Sequence, residues 1–154
     1  MEESEDIFIE EPSEFYRSDK DFTSLAAWQN AREVKLFFYI NVLPKLPEIE
    51  KYNLNIQIRK AAISGTANIA EGYGRFHYQE AIQFYRISRA SIYELKDHLI
   101  SAFDLGFIVE KIHDDGLGLI EKAKVSINGF IKYNQCMLND KRNERTGGKV
   151  HKPL

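Results

Sequence analysis

The 154-residue chain has little of what marks an enzyme, a secreted protein or a membrane protein. Its one cysteine, Cys136, cannot form an internal disulfide, which fits a reducing compartment. That thiol and four histidines leave few groups for nucleophilic or metal chemistry. Four prolines and nine glycines are too few for a loop-rich or fibrous chain. The most apolar stretch, Leu36-Phe37-Phe38-Tyr39-Ile40-Asn41-Val42-Leu43, falls far short of the ~18 residues of a membrane span. The acidic opening lacks the basic start and apolar run of a secretory signal, so the cytoplasm is the expected location.

What the sequence does have is charge, unevenly spread. Residues 1–21 carry nine acids and two bases, net -7. Residues 22–139 carry 14 bases and 12 acids, net +2, and residues 140–154 carry five bases and two acids, net +3. The total of -2 therefore describes no part of the chain. Residues 1–21 read as an acidic, mostly disordered arm, because little there offsets the entropy of ordering. Its one apolar patch, Ile7-Phe8-Ile9, is suited to docking on a partner or on the body, and its charge to covering a basic face of that body. Residues 140–154, with Gly147, Gly148 and Pro153 among charges, read as a flexible basic tail.

Between the arms, apolar residues recur at helical spacing and never alternate as in a strand. Leu25, Trp28, Ala31, Val34, Phe38 and Val42 form the first stripe, ended by Pro44. A second helix is expected from a cap at Asn53 to Gly72 and Gly74, read as its C-terminal glycines. A third spans about His77 to Leu105 and stops at Gly106, and a fourth spans about Val109 to Leu138, with Asp114 and Asp115 expected to cap it. Four helices on short loops predict an all-α, antiparallel up-down-up-down four-helix bundle over residues 22–139, with flexible charged termini.

No constellation for catalysis appears. Ser64, Ser88 and Ser91 are mid-helix without an evident base, and Cys136 has no histidine near it in sequence and is expected as a small buried hydrophobe. Glu94 and His98 share a helix face, but a di-metal bundle site needs a Glu-x-x-His pair on each of two helices plus further glutamates, and neither a metal nor a cofactor is expected. The glycine-flanked run Glu71-Gly72-Tyr73-Gly74-Arg75 precedes a helix start and suits a phosphate, or is an ordinary C-cap and turn. Across residues 59–96, six bases outnumber three acids. Such a face suits a nucleic-acid backbone, with Tyr85 and Tyr93 available for stacking. Alternatively some of these arginines pair internally with Glu71 and Glu94, Arg89 above all.

The runs Gln57-Ile58-Arg59-Lys60-Ala61-Ala62-Ile63-Ser64, Ala67-Asn68-Ile69-Ala70-Glu71-Gly72-Tyr73-Gly74-Arg75 and Phe84-Tyr85-Arg86-Ile87-Ser88-Arg89-Ala90-Ser91 resemble four-helix-bundle proteins encoded in intervening sequences of bacterial large-subunit ribosomal RNA genes. The accessory variability determinant of diversity-generating retroelements is similar in the same way. Gly65-Thr66 stands where the family usually has Ile-Pro, so the second helix is expected to run unbroken. The resemblance implies a homopentamer without enzymatic activity, and in the retroelement relatives a basic surface that engages nucleic acid and a reverse transcriptase. It carries nucleic-acid contact onto Arg59, Lys60, Arg75 and Arg86. It carries a structural polar cluster between the second and third helices onto Asn68, Glu71, Arg89 and Glu94. The alternative is a protein-interaction scaffold that binds no nucleic acid.

Overall fold

In a computed structural model, residues 21–147 are described. Asp21 opens the first turn: its carboxylate accepts from the Phe22 N–H at 2.6 Å, capping a 3-10 turn at Phe22–Ser24. Helix α1 follows at Ala26–Phe37 and passes into a π-helical turn at Phe38–Val42. Pro44 has no N–H to continue the ladder, and a 3-10 turn at Leu43–Lys45 closes the element. The wider turn keeps both Phe38 and Val42 fully buried.

Helix α2 spans Leu54–Tyr73 without a break. Its cap differs from the expected one. Asn53 makes no capping bond; instead the Glu50 carboxylate, reaching from the preceding 3-10 turn, accepts from the Leu54 N–H at 3.2 Å and from the Asn53 side-chain amide at 3.0 Å. Helix α3 spans Tyr78–Asp104. Gly106 ends it at φ +75, with Gly106 N–H on the Phe103 carbonyl and Phe107 N–H on the Ala102 carbonyl, both at 2.9 Å. This is the glycine-terminated Schellman pairing.

Helix α4 spans Glu110–Gly147: its start agrees with the expected one to within a residue, and its end lies well beyond Leu138. Asp114 and Asp115 lie within its first turns rather than at its cap: Asp115 pairs with Lys111 at 2.9 Å, one helical turn away. At the other end, residues 140–147 continue the helix instead of beginning a flexible tail. The remainder of that tail, 148–154, and the acidic arm up to residue 20 lie outside the described residues.

Among the described residues the protein is an all-helical bundle without strands, and no helix is long and apolar enough to cross a membrane. Each helix buries one stripe in a single core that includes Val34, Phe38, Ile58, Ile69, Leu95 and Ile127. A fully buried aliphatic side chain of this kind stabilises the fold by about 1.5–3 kcal/mol. Side-chain contacts fix the register. Numbers fall along one helix as they rise along its neighbour: Asn30 meets Ser126 at 3.0 Å and Glu33 meets Lys122 at 3.2 Å between α1 and α4. Between α3 and α4, Arg89 meets Asn128 at 2.9 Å and Gln79 meets Arg142 at 3.3 Å.

Small residues set the closest approaches. Gly72 is buried, and a Cβ there would lie 2.7 Å from Tyr85 Cε1 and 2.9 Å from Phe84 Cβ. It is a contact glycine of α2 against α3, not the C-cap its position in the sequence suggested. Gly116 serves α4 in the same way, since a Cβ would lie 2.7 Å from Leu99 Cδ2 and 2.8 Å from Phe37 Cε1. Gly65 lets α3 approach closely enough for Ser88 Oγ to donate to its carbonyl at 2.5 Å.

Candidate nucleic-acid interface

The four basic residues singled out in the sequence do not gather on one patch. Arg59 donates to Asn55 at 2.7 Å and lies over the Tyr39 ring, its Cζ 5.1 Å from the centroid. Lys60 projects beside it from the exposed side of α2. Arg75 is 16 residues further along, roughly 24 Å at the rise of an α-helix. Its guanidinium pairs with Glu71 at 2.9 Å and covers the Phe84 ring at 4.9 Å. The Glu71-to-Arg75 run thus satisfies its own cation. Arg86 is exposed on α3 and faces α4.

The expected polar cluster is replaced by a different one. Glu71 pairs with Arg75, Glu94 approaches His98 at 3.2 Å, and Arg89 donates to Asn128 on α4, not to a carboxylate. Of the four, only Asn68 joins the network between α2 and α3, and it does so through its own helix. Its side-chain amide donates to Ser64 Oγ at 2.8 Å, and that hydroxyl lies 2.8 Å from Ser91 Oγ on α3. Hydroxyls rather than an ion pair tie these helices, which removes the desolvation cost of a buried charge.

Tyr85 is 0% exposed and packs against Phe130 at a centroid distance of 4.7 Å, so it offers no face for base stacking. Tyr93 is half exposed, with Lys124 Nζ 4.6 Å from its centroid. Cys136 is exposed, against the expectation of a buried thiol. Among the described residues no group of three or more histidine, cysteine or acidic side chains stands together as a metal site.

The concentration of positive charge lies elsewhere, in a groove between the first turns of α3 and the last turns of α4. It has two adjoining lobes of about 520 and 400 Å³. Arg86 stands on the α3 side, and Lys141, Arg142 and Arg145 on the α4 side. Glu80 is the one acid lining it among the described residues. Ile82 and Leu138 supply an apolar floor, and Gln79, Gln83 and Gln135 supply amides at the walls. The Lys141 ammonium sits 5.1 Å from the Tyr78 centroid, and Arg142 is steadied by its bond to Gln79. Sequence reasoning missed this groove because it assigned residues 140–154 to a tail. The readable signal was the spacing of Leu138, Lys141, Arg142 and Arg145, which places one apolar and three basic residues along one side of a continuing helix.

Burial tunes two phenols near this end of the bundle. Tyr133 is pushed above its ordinary value of 10.0 by burial, and then by proximity to Tyr78. Tyr73 is raised from 10.0 by burial, and then by the Asp21 carboxylate. Lys124 and Glu121, 2.9 Å apart, stabilise each other's charged forms chiefly through their hydrogen bond.

Four contacting helices around one core, with a basic groove between two of them, define an all-α bundle protein. The family profile described as 23S rRNA-intervening sequence protein matches residues 23–129, and the chain belongs to that family. Among curated proteins, none matches this chain.

Proposed function

We propose that this protein is a non-enzymatic, cytoplasmic, oligomeric bundle of up-down-up-down topology that associates with RNA through the phosphate backbone. The observation that carries this reading is the α3–α4 groove, where four basic side chains face one acid. Phosphate contact by such residues is largely sequence-independent and releases counterions. The ribosomal-RNA connection in the family's description supports RNA as the nucleic acid. Within this reading Arg86 is retained as a contact residue, whereas Arg75 is held by Glu71 and Phe84. Arg59 and Lys60 form a second, smaller basic spot on α2.

A homopentamer is the assembly implied by the resemblance drawn from the sequence, and exposed apolar residues support self-association. Ile40 is 67% exposed, Ile63 53% and Val125 65%. The same residues favour the second reading, a scaffold that holds another protein, for which a reverse transcriptase is the partner that the retroelement resemblance suggests. Filter binding of structured RNA at low salt separates the two. Retention that weakens steeply with salt supports the RNA reading, and absence of retention rejects it.

A further inference from the structure

The α3–α4 groove is mixed in character, basic at its rims and apolar along Ile82 and Leu138. A bare phosphate backbone uses the rims and leaves the floor uncovered. One segment of this chain matches both. Ile7-Phe8-Ile9 is flanked by Glu2, Glu3, Glu5 and Asp6 on one side and by Glu10, Glu11 and Glu14 on the other. We propose that this acidic-apolar-acidic segment of the chain's own N-terminal arm docks in the α3–α4 groove, its apolar trio on Ile82 and Leu138 and its carboxylates on Arg86, Lys141, Arg142 and Arg145.

The point of attachment supports this occupant. In the α1–α4 register, Asn30 lies opposite Ser126 and Glu33 opposite Lys122, residue numbers that sum to 156 and 155. The same register runs the start of α1, at Ala26, toward the end of α4 that carries the groove. Asp21 is also near enough to Tyr73, at the end of α2, to raise its phenol, which places the start of the described chain at the same end of the bundle as the first turn of α3. Ten or so residues separate Asp21 from the apolar trio, a tether of up to roughly 35 Å when extended. Intramolecular docking over so short a tether needs little intrinsic affinity, because the effective concentration is high. The docked arm competes with RNA for the groove, a consequence that rests on the proposed function; the docking itself does not.

The single native thiol gives a direct test in the full chain. Cys136 is exposed and adjoins Gln135 at the groove. A nitroxide on Cys136 is expected to remove more than half of the amide signal intensity of residues 7–9 at low salt. Intensity should return in about 1 M salt, where the Debye length is ~3 Å. It should also return in F8D and in R86E/R142E, while amides of the buried core, such as Leu95, keep their positions. Full intensity of residues 7–9 in the labelled protein at low salt overturns the proposal, as does broadening that survives both F8D and the charge reversal. No RNA is present, so a failure of RNA binding and a failure of arm docking are read separately.

Discussion

Arg142 on α4 donates through Nη2 to Oε1 of Gln79 on α3 at 3.3 Å, a contact that joins residues 63 apart in the chain. It steadies one guanidinium at the groove without neutralising it, because an amide oxygen carries no formal charge. Q79E replaces that oxygen by a carboxylate while keeping the shape. A purely structural role for the pair predicts unchanged or raised stability and unchanged RNA binding. A phosphate-binding role predicts RNA affinity several-fold weaker at low salt, since a charge-assisted pair of about 1 kcal/mol must then be displaced. Filter binding beside thermal unfolding of the same variant decides between them.

The helix-packing glycines divide into two groups with opposite expected outcomes. G72A and G116A introduce a Cβ within 2.9 Å of packed side chains. Overpacking of this kind costs about 1–3 kcal/mol, more than the ~1 kcal/mol gained from helix propensity, so both variants should be destabilised. At Gly118 and Gly129 nothing lies within 4 Å of the added atom. G118A and G129A should each gain about 0.5–1 kcal/mol. Urea unfolding of the four variants checks the sign at each position.

The start of α2 offers a second comparison. Glu50 accepts from the Leu54 N–H, whereas Asn53 makes no capping bond. E50A should cost about 1 kcal/mol, in the range of a lost N-cap. N53A removes only a side-chain bond to Glu50 and should cost less than half as much. Equal losses in chemical denaturation would return the cap to Asn53.

Two tyrosines make a pH-dependent contribution on the alkaline side. The folded-state values of Tyr73 and Tyr133 are raised, chiefly by burial. The stability they contribute is therefore present below the ordinary tyrosine value and is lost as pH rises through the folded values. Phenolate absorbance of Y73F and Y133F beside the unsubstituted chain should show each substitution removing a group that ionises above the ordinary tyrosine value. D21N should bring Tyr73 part of the way down and leave Tyr133 unmoved.

The parts of the fold that were legible in the sequence rest on periodicity. The stripe through Leu25, Ala31, Val34, Phe38 and Val42, the stop at Pro44 and the glycine at Gly106 all follow from local chemistry and appear in the structure. What was not legible depends on neighbours distant in sequence. Gly72 looks like a terminator until Tyr85 and Phe84 are seen against it. Asn53 is the better cap by residue type, but the preceding 3-10 turn brings the Glu50 carboxylate to the same N–H. The apolar neighbours Ile87, Ala90 and Ile92 suggest an internal ion pair for Arg89, with Glu71 or Glu94 as partner, yet Arg89 turns to Asn128, Glu71 to Arg75 and Glu94 to His98. The groove needed α4 to continue through Lys141, Arg142 and Arg145, and the polar composition there read equally well as a tail.

The central claim, RNA held by the groove through phosphate contacts, is tested most directly by the salt dependence of RNA affinity in the full chain and in R86A, R142A and R86A/R142A. The logarithm of the binding constant should fall linearly with the logarithm of salt concentration. Each substitution should lower the steepness of that slope by about 1, and the double variant by about 2. Slopes unchanged in all three variants, or a protein that retains no structured RNA at low salt, would contradict the account.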